Sequence, residues 1–346
     1  MINKNFNSIF VLLLTLGVTF TSCSDDDDDN NDGGDNYDSV TLYASNNSNG
    51  NISVYDFESE QNIETKTLIT SSTAADGIFY DDDSESVYQV SRSNNSIEGF
   101  ANIDDLVSGS VLNADFLGTN DMSSPREMAV NGNLFVVADN ADVDGDDTTP
   151  DGRLFVYTYS GSSFSLRNVI TTDFKLWGIT FIGNDLYAVV DATSDLAVFN
   201  DFLANTTDAT VSATKRITIE GIVRTHGITY DGSSDTLIMT DIGDATNVED
   251  DGGFHIISGF TNKFNAVANG DVMAVSGNQV RVSGSSTLMG NPVDVAYDSD
   301  NDVIYIAEAG NGGGRVLGFS NFSAGGNIAP SFNSGLASAS AVYLED

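Results

Sequence analysis

Downstream of Asp139 the chain sets oxygen-bearing side chains at alternate positions: Asn140, Asp142 and Asp144, followed by Gly145, Asp146 and, twelfth from Asn140, Asp151. Oxygen donors on every second residue, a glycine for the sharp bend and a closing acid are what a calcium loop needs to surround its ion with about six to eight hard ligands. The expected ligands are the side chains of Asn140, Asp142, Asp144 and Asp151 and the Asp146 carbonyl, with Thr148 or a water filling a gap. Asn at the opening position and the shorter Asp at the close predict weak binding, ~10⁻⁴ to 10⁻³ M. The alternative is an acidic surface loop without metal. A second loop, Asp241 to Gly253, is also acid-rich (Asp244, Glu249, Asp250, Asp251), but in no recognised spacing.

Acid–base chemistry has few other carriers. There are two histidines, His226 and His255, and one cysteine, Cys23, so no internal disulfide can form. His226 is a candidate general base, for which Asp241, one strand later, is a candidate partner. Glu127 is a further catalytic candidate. Equally, His226 can be a buried, hydrogen-bonded histidine. A nucleophile elbow, a phosphate-binding loop and a zinc H-E-x-x-H motif are all missing from the sequence. Acidic residues outnumber basic ones 51 to 13 in 346 residues, a net charge of −38, which repels phosphate backbones and disfavours nucleic acid as a partner. Cations, basic proteins and glycans remain.

The elements that would position these residues repeat. A short motif recurs as Gly77-Ile78-Phe79-Tyr80-Asp81, Gly178-Ile179-Thr180-Phe181, Gly227-Ile228-Thr229-Tyr230-Asp231 and Asp294-Val295-Ala296-Tyr297-Asp298, with a degenerate copy at Glu127-Met128-Ala129-Val130. Successive copies start 50, 51, 49 and 67 residues apart. About ten residues after each lies a second β-rich run, such as Leu186-Tyr187-Ala188-Val189, and after a polar loop a third, such as Leu196-Ala197-Val198-Phe199. Strand, turn, strand, loop, strand at this period predicts an all-β propeller. The chain ends in a first-strand motif, Ala341 to Glu345, and begins with a second and third strand, Leu42-Tyr43-Ala44 and Ile52 to Tyr55. Joining them completes one blade from both termini and gives a six-bladed β-propeller over residues 39–346. The long gap around Asn262 to Gly290 is expected to hold an irregular insertion.

In such a ring two sets of residues should meet at one face. The inner set, at the start of each first strand, is Asp76, Arg126, Glu127, Trp177, His226 and Asp294. The outer set closes each second strand: Asp139, Asp191, Asp241 and Glu308, with Arg92 in the second blade. Their identities vary while the strand motifs repeat, which marks Trp177, Arg126, Asp76, Asp191, Asp294 and Glu308 as candidate ligand-binding residues. Against this, Asp at a strand end commonly caps the turn through its own backbone. Trp177 reads as a channel-mouth plug or a ligand-stacking platform, the alternative being a core residue.

The strand spacing, with an acid closing the second strand, resembles NHL-type propellers and their gluconolactonase and streptogramin-lyase relatives. That resemblance implies a metal or a catalytic histidine at the mouth of the central channel, although no contiguous catalytic motif carries over. The expected function is a calcium-stabilised binding propeller for a glycan or protein; the alternative is a hydrolase or lyase of the lactonase kind with a channel-mouth cation.

Lys4 precedes an apolar run of twelve residues, Ile9 to Phe20. As a helix it would reach ~18 Å, short of a ~30 Å hydrocarbon core, and it fits a secretory signal. It ends in Phe20-Thr21-Ser22-Cys23, which resembles the lipobox of bacterial lipoproteins and implies cleavage before Cys23 and its acylation, a membrane anchor. Residues 1–22 are then the signal peptide and residues 23–38 a lipidated acidic tether, self-repelling and disordered. The run Asp25 to Asp29 resembles the signal that sends some lipoproteins to the outer face of the outer membrane.

Overall fold

The computed structural model describes residues 38–59, 62–146 and 148–345; Cys23, the signal-like run and the acidic tether up to residue 37 lie outside the described residues. The described strands form six antiparallel sheets, each built around four strands taken in sequence order. The innermost strands are Ala339–Glu345 in blade 1, Ala75–Asp81 in blade 2, Pro125–Asn131 in blade 3, Leu176–Ile182 in blade 4, Ile228–Asp231 in blade 5 and Pro292–Asp298 in blade 6. Each packs against the next, and that of blade 6 against that of blade 1, so the ring closes. The closure predicted from the unmatched terminal strands is present: Ala339–Glu345 pairs with Val40–Asn46, with Leu42 opposite Leu344 and Tyr43 opposite Tyr343.

The core is divided into six apolar clusters, one in each gap between neighbouring blades; Val136, Val156 and Ile170 of blade 3, for instance, meet Ile179, Leu186 and Phe199 of blade 4. A second strand is therefore covered on both faces, and Ser86–Ser91, Thr236–Asp241 and Val303–Glu308 are buried throughout. This double burial is why these segments read as continuous apolar runs and not as alternating ones.

Two features position the channel mouth. An extra residue interrupts the pairing at the start of the innermost strand in five blades, between Ala75 and Ile78, Pro125 and Met128, Leu176 and Ile179, Pro292 and Asp294, and opposite Ser45 and Asn46 in blade 1. Such a bulge re-aims the side chains it carries. The innermost strands also come very close there. A Cβ on Gly178 would lie 2.3 Å from the His226 carbonyl oxygen, and one on Gly227 2.5 Å from the Asp294 Cα, so the motif glycine is required by the neighbouring blade.

The outer edges are covered in a recurrent way. Ala209–Thr210, from the connection between the third and fourth strands of blade 4, pairs in parallel with the outer strand of blade 3. Val272–Met273 of blade 5 does the same to blade 4, and single bridges link Ile69 with Val111 and Val282 with Gly326. The predicted insertion in the long gap serves this purpose: it holds a helix, Phe260–Ala266, whose Phe260 and Phe264 pack against Tyr187 of blade 4, followed by Val272–Met273.

Candidate functional site

At the bulge, equivalent positions of blades 1 to 6 carry Ser340, Asp76, Arg126, Trp177, His226 and Val293. Four of these form a continuous row. Asp76 attracts Arg126. The Arg126 guanidinium lies over the Trp177 ring, 4.3 Å from its centroid, and Trp177 stacks on His226 at 3.7 Å with 7° between the planes. Trp177 is thus engaged by a neighbour from the preceding blade and one from the following blade. Trp177 is also half-buried against the apolar cluster between blades 4 and 5, so it is a fixed element of the mouth that shares in the core, not an open stacking surface.

The outer acids divide into two kinds. Asp139 accepts hydrogen bonds from the backbone N–H groups of Ser123, Ser124 and Ala141; Asp241 from those of Val223, Arg224 and Gly243; Glu308 from those of Gly290, Asn291, Gly310 and Asn311. Each ties the strand that enters its blade to the turn that follows its own strand. Arginines complete two of them, Arg153 at 2.8 Å from Asp139 and Arg281 at 3.3 Å from Asp241. These three act as turn caps, the bland reading of an acid at a strand end.

Asp191 is different. Its carboxylate accepts from Arg224 (2.8 Å), from His226 Nε2 (3.2 Å) and from Asn140 Nδ2 (3.0 Å), all from neighbouring blades. This corrects the expected pairing: the carboxylate partner of His226 is Asp191, while Asp241 is occupied by backbone groups, Arg281 and the other histidine, His255, at 4.0 Å. Arg224 belongs to the site although its type alone did not single it out. Its spacing carried the signal, because Arg224 stands two residues before His226 and both meet Asp191. Burial pushes the Asp191 carboxyl up, but the bonds from His226 and Asn140 and the nearby positive charge hold it well below the usual carboxylate range. Burial, helped by the Arg224 and Arg126 charges, lowers His226 against the pull of Asp191, and its Nδ1 is buried without a hydrogen-bond partner.

Below this row the innermost strands enclose a cavity of about 400 Å³ whose walls include Glu127, Asp294, Thr180 and Thr229. Glu127 and Asp294 occupy the position after the bulge in blades 3 and 6, which stand opposite each other in a six-membered ring. One Glu127 oxygen accepts from the Met128 N–H and one Asp294 oxygen from the Val342 N–H, both at 2.9 Å. Burial raises Asp294 to about 8, and burial together with the Asp294 charge holds Glu127 well above its ordinary value. Asp76 is raised by burial to about 6, against Arg126 and Arg92, the latter 3.8 Å away.

Among the described residues only Asp142, Asp144 and Asp151 form a group of three or more possible metal ligands, with their carboxylate oxygens within 4.8 Å of one another. Three of the predicted calcium-loop acids therefore converge. Asn140 does not join them; its amide bonds the Leu176 carbonyl and Asp191. The Asp146 carbonyl accepts from the Thr149 N–H, its carboxylate from Thr148, and Lys175 Nζ sits 3.2 Å from Asp142.

No family model and no curated protein matches the sequence. Solved structures do. The chain is similar to a chain in a nidogen/laminin complex, with 14% identity over 89% of this chain and 98% of that one and a TM-score of 0.57. It is also similar to candidate 6-phosphogluconolactonases from Bacteroides fragilis (11% identity, 89% and 98% covered, TM-score 0.54) and from Bacteroides uniformis (13%, 89% and 100%, TM-score 0.57). At such identities the likeness is one of fold, and it spans the whole ring.

Proposed function

We propose that the chain is a binding propeller, exported and anchored by acylation at Cys23 to the cell-surface side of the outer membrane, which presents its channel mouth to a glycan or protein. The observation that carries the binding reading is the row Asp76–Arg126–Trp177–His226. It is built from four blades and locked by stacking, a rigid first layer of the kind recognition requires. His226 within it is poorly placed for proton transfer: Nε2 is held by Asp191, Nδ1 is buried, and the ring is covered by Trp177. A calcium ion on Asp142, Asp144 and Asp151 belongs to the same reading as a structural ion that orders the loop beside the mouth. Three carboxylates match a hard cation in donor type, and the Lys175 ammonium would have to give way to it.

One observation favours the second reading, a hydrolase or lyase of the lactonase kind. A neutral imidazole oriented by an ionised carboxylate is the arrangement of a base and its positioning partner, and His226 with Asp191 has it. The fold neighbours described as candidate 6-phosphogluconolactonases are consistent with it. The two readings separate on paired variants. For a binding module, Trp177→Ala releases Arg126 and weakens capture from a glycan array or an outer-surface protein extract more than His226→Ala does. Lactone turnover by the wild type that His226→Ala abolishes would overturn the binding reading. Anchoring is tested separately: Cys23→Ala should move the protein from the membrane fraction to the soluble one or leave it unprocessed.

A further inference from the structure

Arg126 is only 8% exposed, yet among the described residues no carboxylate comes within ion-pair distance of its guanidinium. One of its N–H groups donates to its own neighbour, the Pro125 carbonyl, and Nε has no partner. Asp76, 2% exposed and next in the row, has an oxygen, Oδ2, that accepts no hydrogen bond. A buried guanidinium whose anionic neighbour stays beyond ion-pair distance is costly, and so is a buried carboxyl oxygen that has Arg92 at 3.8 Å but no hydrogen-bond donor. Together they leave two demands unmet, for an acceptor with negative charge and for a hydroxyl donor. Arg92 and Arg224 stand in the same neighbourhood, paired with Asp76 and Asp191. The Arg92 charge disfavours that of Arg126, and Arg126 and Arg224 together disfavour protonation of His226, so positive charge from three blades meets at the mouth.

On the binding reading above, we infer that the group received at the mouth is a sugar bearing a single oxyanion, a carboxylate or a phosphate, held by Arg126 while Asp76 accepts an adjacent hydroxyl. A planar guanidinium fixed over an indole is pre-organised for two-point contact with such an oxyanion. The rest of the molecule restricts the choice. With 51 acidic residues against 13 basic ones the surrounding field repels polyanions, so one acidic residue at the end of a glycan fits and a ladder of charges does not.

The test is calorimetric titration of the purified full-length chain with three probes: a glucuronate-ended disaccharide, its neutral glucose-ended counterpart, and glucose 6-phosphate. At least one acidic probe should bind about ten- to a hundredfold more tightly than the neutral one, and which of them does so identifies carboxylate or phosphate. Arg126→Gln should reduce acidic-probe affinity to the level of the neutral probe. Arg92→Gln, at a side chain about a third exposed, should lower it severalfold. Equal affinity for neutral and acidic probes, or acidic-probe binding that survives both substitutions, overturns the oxyanion while leaving a binding propeller in place. Failure of all three probes also overturns it, and the capture experiment above then decides separately whether the mouth binds anything.

Discussion

Single side chains set the pH response of this protein. Asp294 has its carboxyl raised to about 8 by burial, so between the ordinary carboxylate value and 8 the folded chain holds a proton that the unfolded chain has released. Stability from this group therefore falls as pH rises through that window, with Glu127 acting in the same direction. Asp191 has the opposite sign: its depressed value adds stability above the ordinary carboxylate range, lost as pH falls below it. Above the ordinary histidine range, where the depressed His226 and His255 are neutral in both states, the melting temperature should decline towards pH 8. Asp294→Asn should flatten that decline, whereas a decline caused only by the net negative charge would survive it. Calcium gives a second prediction at this scale. At a hundred times its dissociation constant, about 10 to 100 mM, it should add ~2.7 kcal/mol, and Asp144→Ala should remove the difference between melts at that calcium concentration and in chelator. At this scale the sequence was only partly legible. It marked the inner set but could not tell Asp191 from Asp139, Asp241 and Glu308, because all four end a second strand. What separates them is whether neighbouring backbone N–H groups or neighbouring side chains reach the carboxylate.

At the scale of the strand, the motif glycine and the capping acid fix how blades meet. Gly178→Ala would push a methyl group into the His226 carbonyl, a backbone atom that cannot swing away. A loss of about 3 kcal/mol is expected. Gly232→Ala is the control, since its nearest neighbour would be the Tyr230 ring at 3.8 Å, ordinary contact. Glu308→Ala should be comparably severe because four backbone N–H groups lose their acceptor at once. Chemical denaturation of the three variants measures this order. The glycine was visible in the sequence as a repeat, and its cause, the approach of the next blade, was not. The two-residue parallel strands over the blade edges left no trace at all: Ala209–Thr210 and Val272–Met273 are too short to carry a period.

For the whole ring, the number of blades and the way it closes were readable from the unmatched strands at the two ends, because a propeller blade cannot leave its partner strands uncovered. The prediction that belongs here is removal of residues 341–346. It takes most of the innermost strand from blade 1 and uncovers Leu42, Tyr43 and Ala44 together with the flanks of blades 2 and 6. Loss of a cooperative melt, or aggregation on expression, is expected. A truncated chain that melts within a degree or two of the parent would mean the C-terminal strand contributes nothing to closure.

Closure also decides how the molecule bears load. Val40–Asn46 is not an edge: the C-terminal strand lies on one side of it and Ile52–Ser59 on the other, and Asp38 exchanges two further hydrogen bonds with Asn301 of blade 6. A pull delivered through the N terminus along this strand strains both ladders in shear, so that many bonds must break together; the same pull on a free edge would unzip them one by one. A ring fastened in this way resists being dragged open from the end at which its chain would be held.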